Sequence, residues 1–201
     1  MNKKSLAVIL SGLKQVQNPN SSLEQYQTDS ETASLILWKA YMSNDIQRKF
    51  IADLGCGNGI FGVGAIILGA KKVYFVEQDK KSIKVLKENL SEFDGNYEIL
   101  NIDIKDFNLK VDTVIQNPPF GVQKVHSDKI FLEKAFKISN KIYTIHKIES
   151  QEFMKSISQD NNFKINGILK LNFPLKKTMH FHRKKKYNVN VGCWILERIS
   201  Y

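Results

Sequence analysis

Asparagine, two prolines and a phenylalanine stand in a row at 117–120, directly after the apolar run Val111 to Gln116. Two consecutive prolines fix their own φ and supply no backbone N–H. The first also forces Asn117 away from helical geometry. Chain leaving a strand is thereby stiffened where an amide (Asn117), free carbonyls (that of Pro118 among them) and an aromatic face (Phe120) are presented together. That set suits a flat ring bearing an exocyclic amine. The same four residues also read as a plain Pro-Pro loop after a strand, so their chemistry depends on what the fold sets beside them.

A second group lies upstream. Asp53-Leu54-Gly55-Cys56-Gly57-Asn58-Gly59 separates an apolar strand pattern from a helical one. Glycines there let the chain turn sharply and let a ligand lie against backbone. Glu77 ends the next strand pattern, where a carboxylate can accept both hydroxyls of a ribose, and Asp103 follows the third, in position to meet an adenine amino group. Gly57, Gly59 and Gly62 also match G-x-G-x-x-G with Glu77 twenty residues on, which is a nicotinamide-binding pattern. The glycine cluster starts earlier than that pattern requires, however, with an acid at the strand end. Hydride transfer also has no work for Asn117 to Phe120. S-adenosylmethionine is therefore the preferred ligand. Cys56 and Asn58 read as residues that shape the loop, and Cys56 has no cysteine or histidine at ligand spacing, so no metal site is expected.

These groups need a scaffold. The 201 residues favour one domain, and the 42% hydrophobic content is that of a globular chain. Two cysteines, Cys56 and Cys193, cannot staple a disulfide framework, which points to a reduced, cytoplasmic setting. The basic amino terminus has too short an apolar stretch for a cleaved signal or a membrane span. The net charge of +10 is unevenly spread: from Pro174 to Asn188 there are five lysines and Arg183 with no acidic residue. A polyanionic partner is the natural inference, the alternative being a solvated basic loop.

Leu6, Ile9, Leu10, Leu13 and Val16 recur at helical spacing, and Asn18-Pro19-Asn20 should stop that helix. A second helix is expected from about Ser30 to Met42, capped by Thr28 or Asp29. Strands and helices then alternate: strands over 50–54, 73–77, 97–100, 111–116 and 141–146, and helices over 60–68, 80–93, 127–139 and 149–158. Ser127 or Asp128 should cap the third of these helices. Two long runs, 163–173 and 189–199, have no helix between them and read as an antiparallel pair joined by the basic segment. The expected fold is α/β: a Rossmann-like, seven-stranded, mostly parallel sheet ending in an antiparallel hairpin. Residues 1–48 would supply N-terminal helices and a cofactor-gating loop, and residues 49–201 the core, in one compact domain.

With both motifs in place, the chain resembles adenine-amino methyltransferases that carry Asn-Pro-Pro-Phe or Asn-Pro-Pro-Tyr. It is most similar to the methyltransferase-like protein 5 family of small-subunit ribosomal RNA methyltransferases and its archaeal relatives. The blocks that carry the match are Leu23 to Thr28, Ala52 to Gly59, Asn117 to Gly121, His146-Lys147 and Phe181 to Lys186. The resemblance implies methyl transfer from S-adenosylmethionine to the 6-amino group of one adenosine in RNA. It places Gln25 and Thr28 against the cofactor from the N-terminal loop. Asp53, Gly55, Gly57, Asn58, Gly59 and Ile60 would line its methionine and ribose side. Glu77 and Asp103 would hold ribose and adenine, and Asn117 would sit at the transfer centre. Gln27 stands where the family usually has proline, and Glu77 where it usually has aspartate. In eukaryotes the family works with a small zinc-binding activator protein, so such a partner is a further expectation.

An adenine amine is a poor nucleophile because its lone pair is delocalised into the ring. The side-chain oxygen of Asn117 and the carbonyl of Pro118 can each accept one of its N–H bonds, while Phe120 stacks on the base. A paired base must first be extruded. Lys176, Lys177, Phe181, His182, Arg183, Lys184, Lys185 and Lys186 would grip the RNA. His146-Lys147 ends a strand beside the pocket, with binding RNA or closing the site as its candidate roles. Two enzyme alternatives use the same aromatic motif: methylation of DNA adenine or cytosine amines, and of a protein glutamine amide. A third alternative is an RNA-binding protein that retains the fold without catalysis.

Overall fold

A computed structural model describes residues 1–17, 27–119, 127–174 and 188–199. Short β-rich runs become the parallel strands β1 (Phe50–Leu54), β2 (Lys72–Val76), β3 (Tyr97–Leu100), β4 (Thr113–Gln116) and β5 (Lys141–Lys147), with β1 and β4 buried on both faces and β3 a half-buried edge. Two longer strands close the chain, β6 (Phe163–Pro174) and β7 (Asn188–Arg198), and pair antiparallel. The seven-stranded sheet has the order β3-β2-β1-β4-β5-β7-β6, so β7 lies antiparallel between β5 and β6. This is the α/β architecture expected from the alternation. Strand order reverses between β1 and β4, and in open parallel sheets ligands bind in the crevice outside the carboxyl ends at that point.

Helices cover both faces. Residues of α1 (Lys3–Ser11), α2 (Ser30–Met42), α3 (Ile60–Ile67) and α4 (Lys80–Leu90) share one core with Ile51, Phe75 and Ile115. The other core joins α5 (Ser127–Ile138) and α6 (Gln151–Asp160) to Ala52, Val114, Ile142 and Trp194. Alternate strand residues feed the two cores, as the period of two requires.

Several boundaries differ from expectation for visible reasons. Helix α1 ends at Ser11, with Gly12 as its C-cap, rather than continuing to Val16. Leu13 and Val16 are buried all the same. The chain leaves the helix there because both backbone groups of Lys14 bond to Asn89. Asp29 is the cap of α2, accepting from Thr32 N–H at 2.9 Å. Helix α4 stops at Leu90, three residues before Phe93. Asp128 lies inside the first turn of α5. Glu77 falls one residue past β2, where its N–H donates to the Leu100 carbonyl at 3.1 Å. Among the described residues no helix is long and apolar enough to cross a membrane.

Candidate active site

The loop between β1 and α3 is held from below. The N–H groups of Gly55 and Cys56 both donate to the Val76 carbonyl, at 2.8 and 3.1 Å, which fastens the start of the loop to the end of β2. Two glycines decide its shape. Gly59 has φ +86, and a Cβ there would lie 2.3 Å from Leu86 Cδ1, so only glycine lets α4 pack this closely. Gly57 has φ +56, and a Cβ would meet nothing within 4 Å: its backbone borders open space, as a surface that receives a ligand must.

Two carboxylates brace this loop. Asp53, 1% exposed, accepts from Gly62 N–H at 2.8 Å and so ties β1 to α3. Burial pushes its carboxyl up to about 7, against the pull of that bond, and the nearby Glu77 adds to the rise. Glu77, 5% exposed, accepts from Gly57 N–H at 3.0 Å with one oxygen and from Asp79 N–H at 2.8 Å with the other. Burial raises its pKa too, while those two backbone donors oppose the rise. A carboxylate has about four lone-pair sites, so both oxygens keep capacity for the hydroxyls of a ligand. Asp103 caps the short 3₁₀ turn Ile104–Asp106 beyond β3 and accepts from Lys105 N–H at 2.9 Å. Ile60 is buried as the first residue of α3.

Asn117 leaves β4 on the other side of the switch point. Its Nδ2 donates to Thr28 Oγ1 at 3.0 Å, with Thr28 itself 6% exposed. This bond sets the sense of the amide, turning Oδ1 away from Thr28. Beneath the turn runs a buried polar row. Gln116 Nε2 donates to Thr144 Oγ1 at 3.1 Å, and Thr144 Oγ1 lies 2.9 Å from His146 Nε2. On its other side the ring sets Nδ1 3.9 Å from the Asp128 carboxylate. Burial holds the His146 pKa down at about 3 and outweighs that carboxylate, so the ring is neutral. Pairing of β4 with β5 ends at Gln116 and Thr144, one residue before Asn117, so their side-chain bond reinforces the last rung of the ladder below the turn.

The surroundings of this site match known methyltransferases. The Methyltransferase small domain family matches residues 26–144. The chain is 30% identical to the rRNA N(6)-adenosine-methyltransferase METTL5 of Danio rerio, over 95% of this chain and 96% of the other. The chain belongs to the METTL5-like family. An uncharacterized protein of Methanocaldococcus jannaschii is 36% identical over 99% of this chain and 95% of its own. The crystal structure of a candidate RNA methyltransferase from Pyrococcus horikoshii superposes with a TM-score of 0.92 at 42% identity, covering 100% of this chain and 99% of that one.

In this METTL5-like chain, Thr28, Asp53, Gly55, Gly57, Asn58, Gly59, Ile60, Glu77, Asp103, Asn117 and Pro118 all fall at or around the carboxyl edge of β1 to β4. Asn58 is used differently from a simple lining residue, since its Nδ2 donates to the Lys14 carbonyl at 3.1 Å. Gln25, Phe120, Lys176, Lys177, Phe181, His182, Arg183, Lys184, Lys185 and Lys186 lie outside the described residues. Sequence reasoning passed over Asn89, Gln116 and Thr144. Each is a polar residue at a buried position, Asn89 between Leu86 and Leu90 on the apolar side of α4, and that mismatch is the signal that could have found them.

Proposed function

We propose that the chain transfers a methyl group from S-adenosylmethionine to the 6-amino group of an adenosine in RNA, small-subunit ribosomal RNA being the substrate. The observation that carries this reading is the fixed amide of Asn117, held through Thr28 across the switch point from a glycine loop with an open face at Gly57. Support comes from similarity over most of the chain, at 30% and 26% identity, to animal relatives named for this activity.

The loop suits the methyl donor: Gly55 to Ile60 offer backbone and an apolar rim, and Glu77 offers acceptors for ribose hydroxyls. Asp103, at the end of β3, is the candidate partner of the adenine amine, and Gln25 and Thr28 would close the site from the N-terminal side. When bound, S-adenosylmethionine supplies an electrophilic methyl group on a sulfonium. The chain's own part is orientation. Asn117 Oδ1 and the Pro118 carbonyl accept the two N–H bonds of the target amine, which favours a pyramidal nitrogen with its lone pair exposed. Phe120 stacks on the base. No strong general base is needed, and burial keeps His146 a weak one. The 176–186 basic segment would neutralise phosphates and receive splayed bases.

Two buried free thiols, Cys56 and Cys193, fit work in the cytoplasm, where they stay reduced. A small zinc-binding activator protein is the protein partner that the family reading carries, tested by whether the purified chain turns over alone. Incubation with labelled S-adenosylmethionine and, separately, small-subunit ribosomal RNA, duplex DNA or protein tests the substrate class. Label in RNA supports the reading; label confined to DNA or to a glutamine amide replaces it with one of the alternatives.

A further inference from the structure

Asn89 does more than its place on a helix requires. It is 4% exposed near the end of α4. Its Oδ1 accepts from Lys14 N–H at 2.9 Å, and its Nδ2 donates both to the Lys14 carbonyl at 3.1 Å and to the Asn58 carbonyl at 3.0 Å. One amide therefore pairs both backbone groups of Lys14, as a neighbouring strand would, and spends its second proton on the glycine loop. Asn58 returns the contact, with its own Nδ2 on the same Lys14 carbonyl at 3.1 Å. All three donor hydrogens and acceptors these side chains turn on Lys14 converge on one residue of the N-terminal segment.

That segment reaches the other half of the site. Gln27 Nε2 donates to the Val16 carbonyl at 2.6 Å, and the next residue, Thr28, accepts from Asn117 Nδ2. A continuous set of bonds thus runs from α4 through the glycine loop and residues 14–16 to the turn that fixes Asn117. Proline at position 27 would lack the bond to Val16, so in this chain Gln27 supplies a link of its own.

We propose that Asn89 is a positioning residue that clamps the cofactor loop to the N-terminal segment, and that Gln27 passes this clamp on to Thr28 and Asn117. The proposal rests on the reading of the glycine loop as the methyl donor's site. Nothing in it requires Asn89 to touch either substrate.

The test uses the full chain and measures binding as well as turnover. Asn89→Asp keeps the shape and the acceptor for Lys14 N–H but removes both donors; it should weaken S-adenosylmethionine binding about tenfold or more. RNA affinity should stay within about twofold, since no RNA contact is altered. Asn89→Ser, a smaller side chain that can donate one bond, should recover part of the loss. Because Asn58 and Asn89 share the Lys14 carbonyl, Asn58→Ala and Asn89→Asp should be clearly non-additive on cofactor affinity. Gln27→Ala should leave cofactor affinity nearly unchanged and lower kcat at saturating cofactor. Unaltered cofactor affinity in folded Asn89→Asp, or additive losses in the double variant, would overturn the clamp. An unaltered kcat in Gln27→Ala would overturn the link to Asn117. Should Asn89→Asp fail to fold, Asn89→Ser takes its place alone and combined with Asn58→Ala, and unaltered cofactor affinity or additive losses there overturn the clamp. These binding measurements do not depend on which amine is methylated, so the clamp and the functional reading can fail separately.

Discussion

Replacing Glu77 with glutamine separates what this carboxylate does for the fold from what it does for the cofactor. In the folded chain one oxygen accepts from Gly57 N–H at 3.0 Å and the other from Asp79 N–H at 2.8 Å. Glutamine has one oxygen, so one of these buried donors must face an amide N–H₂. The loss is about one charge-assisted bond, roughly 1.5–3 kcal/mol. Burial opposes it, because the charged carboxyl is already disfavoured at this site and the neutral amide relieves that cost. Stability should therefore change little. Cofactor affinity has no such compensation. The hydroxyls of the ligand lose a charged acceptor and the corner at Gly57 loses its anchor, so the same 1.5–3 kcal/mol becomes roughly 10- to 150-fold weaker binding. Isothermal titration calorimetry with S-adenosylmethionine measures this directly, with urea unfolding run alongside. Glu77→Asp should lose less, since the charge remains and only its reach shortens. A Glu77→Gln affinity within about threefold of the native value, in a protein of unchanged stability, would refute the ribose assignment.

Other outcomes follow from the same geometry. Asn117→Ala should cut methyl transfer at least a hundredfold, roughly the cost of one lost transition-state acceptor, while cofactor affinity by calorimetry stays within a few-fold. Lys184, Lys185 and Lys186 changed together to alanine should weaken RNA binding and lower its salt slope by up to about two to three; an unchanged slope would dismiss the basic segment as a contact surface. His146 has a pKa of about 3 in the fold and an ordinary value near 6.5 when unfolded, so the unfolded chain takes up its proton first as pH falls. Its contribution is complete above pH 6.5 and is lost towards pH 3, about 2 kcal/mol of it by pH 5. Asp53, raised to about 7, acts in the opposite direction, gaining stability as pH falls from 7 towards 3.8. The two oppose each other, so between pH 7 and 5 His146→Gln should gain about 2 kcal/mol more urea stability than the native chain does. Parallel pH curves for the two proteins would mean that His146 titrates alike in both states.

The sheet was legible because two-sided burial and alternating helices leave few other arrangements. The runs 50–54, 113–116 and 141–147 carry that pattern in their own residues. The glycine loop was legible for a related reason: its left-handed turns at Gly55, Gly57 and Gly59 suit no other residue as well. What could not be read is whatever depends on register or on distant chain. Gln116 meets Thr144 only because β4 and β5 pair in that register, and no local pattern sets it. Helix α1 looked longer than it is because Leu13 and Val16 keep helical spacing, yet Asn89, 75 residues away, offers Lys14 a better set of partners than another helical turn would. Likewise, the bond from Asn58 Nδ2 to the Lys14 carbonyl joins residues 44 positions apart, and nothing in the loop's own sequence announces it.

The central claim is that Asn117 presents an adenosine amine in RNA to the methyl donor. It is tested most directly by incubating the native chain and Asn117→Ala with labelled S-adenosylmethionine and small-subunit ribosomal RNA, then digesting the RNA to nucleosides and separating them. We predict label in the N(6)-methyladenosine peak for the native chain and almost none for Asn117→Ala. Label in a cytidine or ribose-methylated peak, or equal label from both proteins, would contradict it.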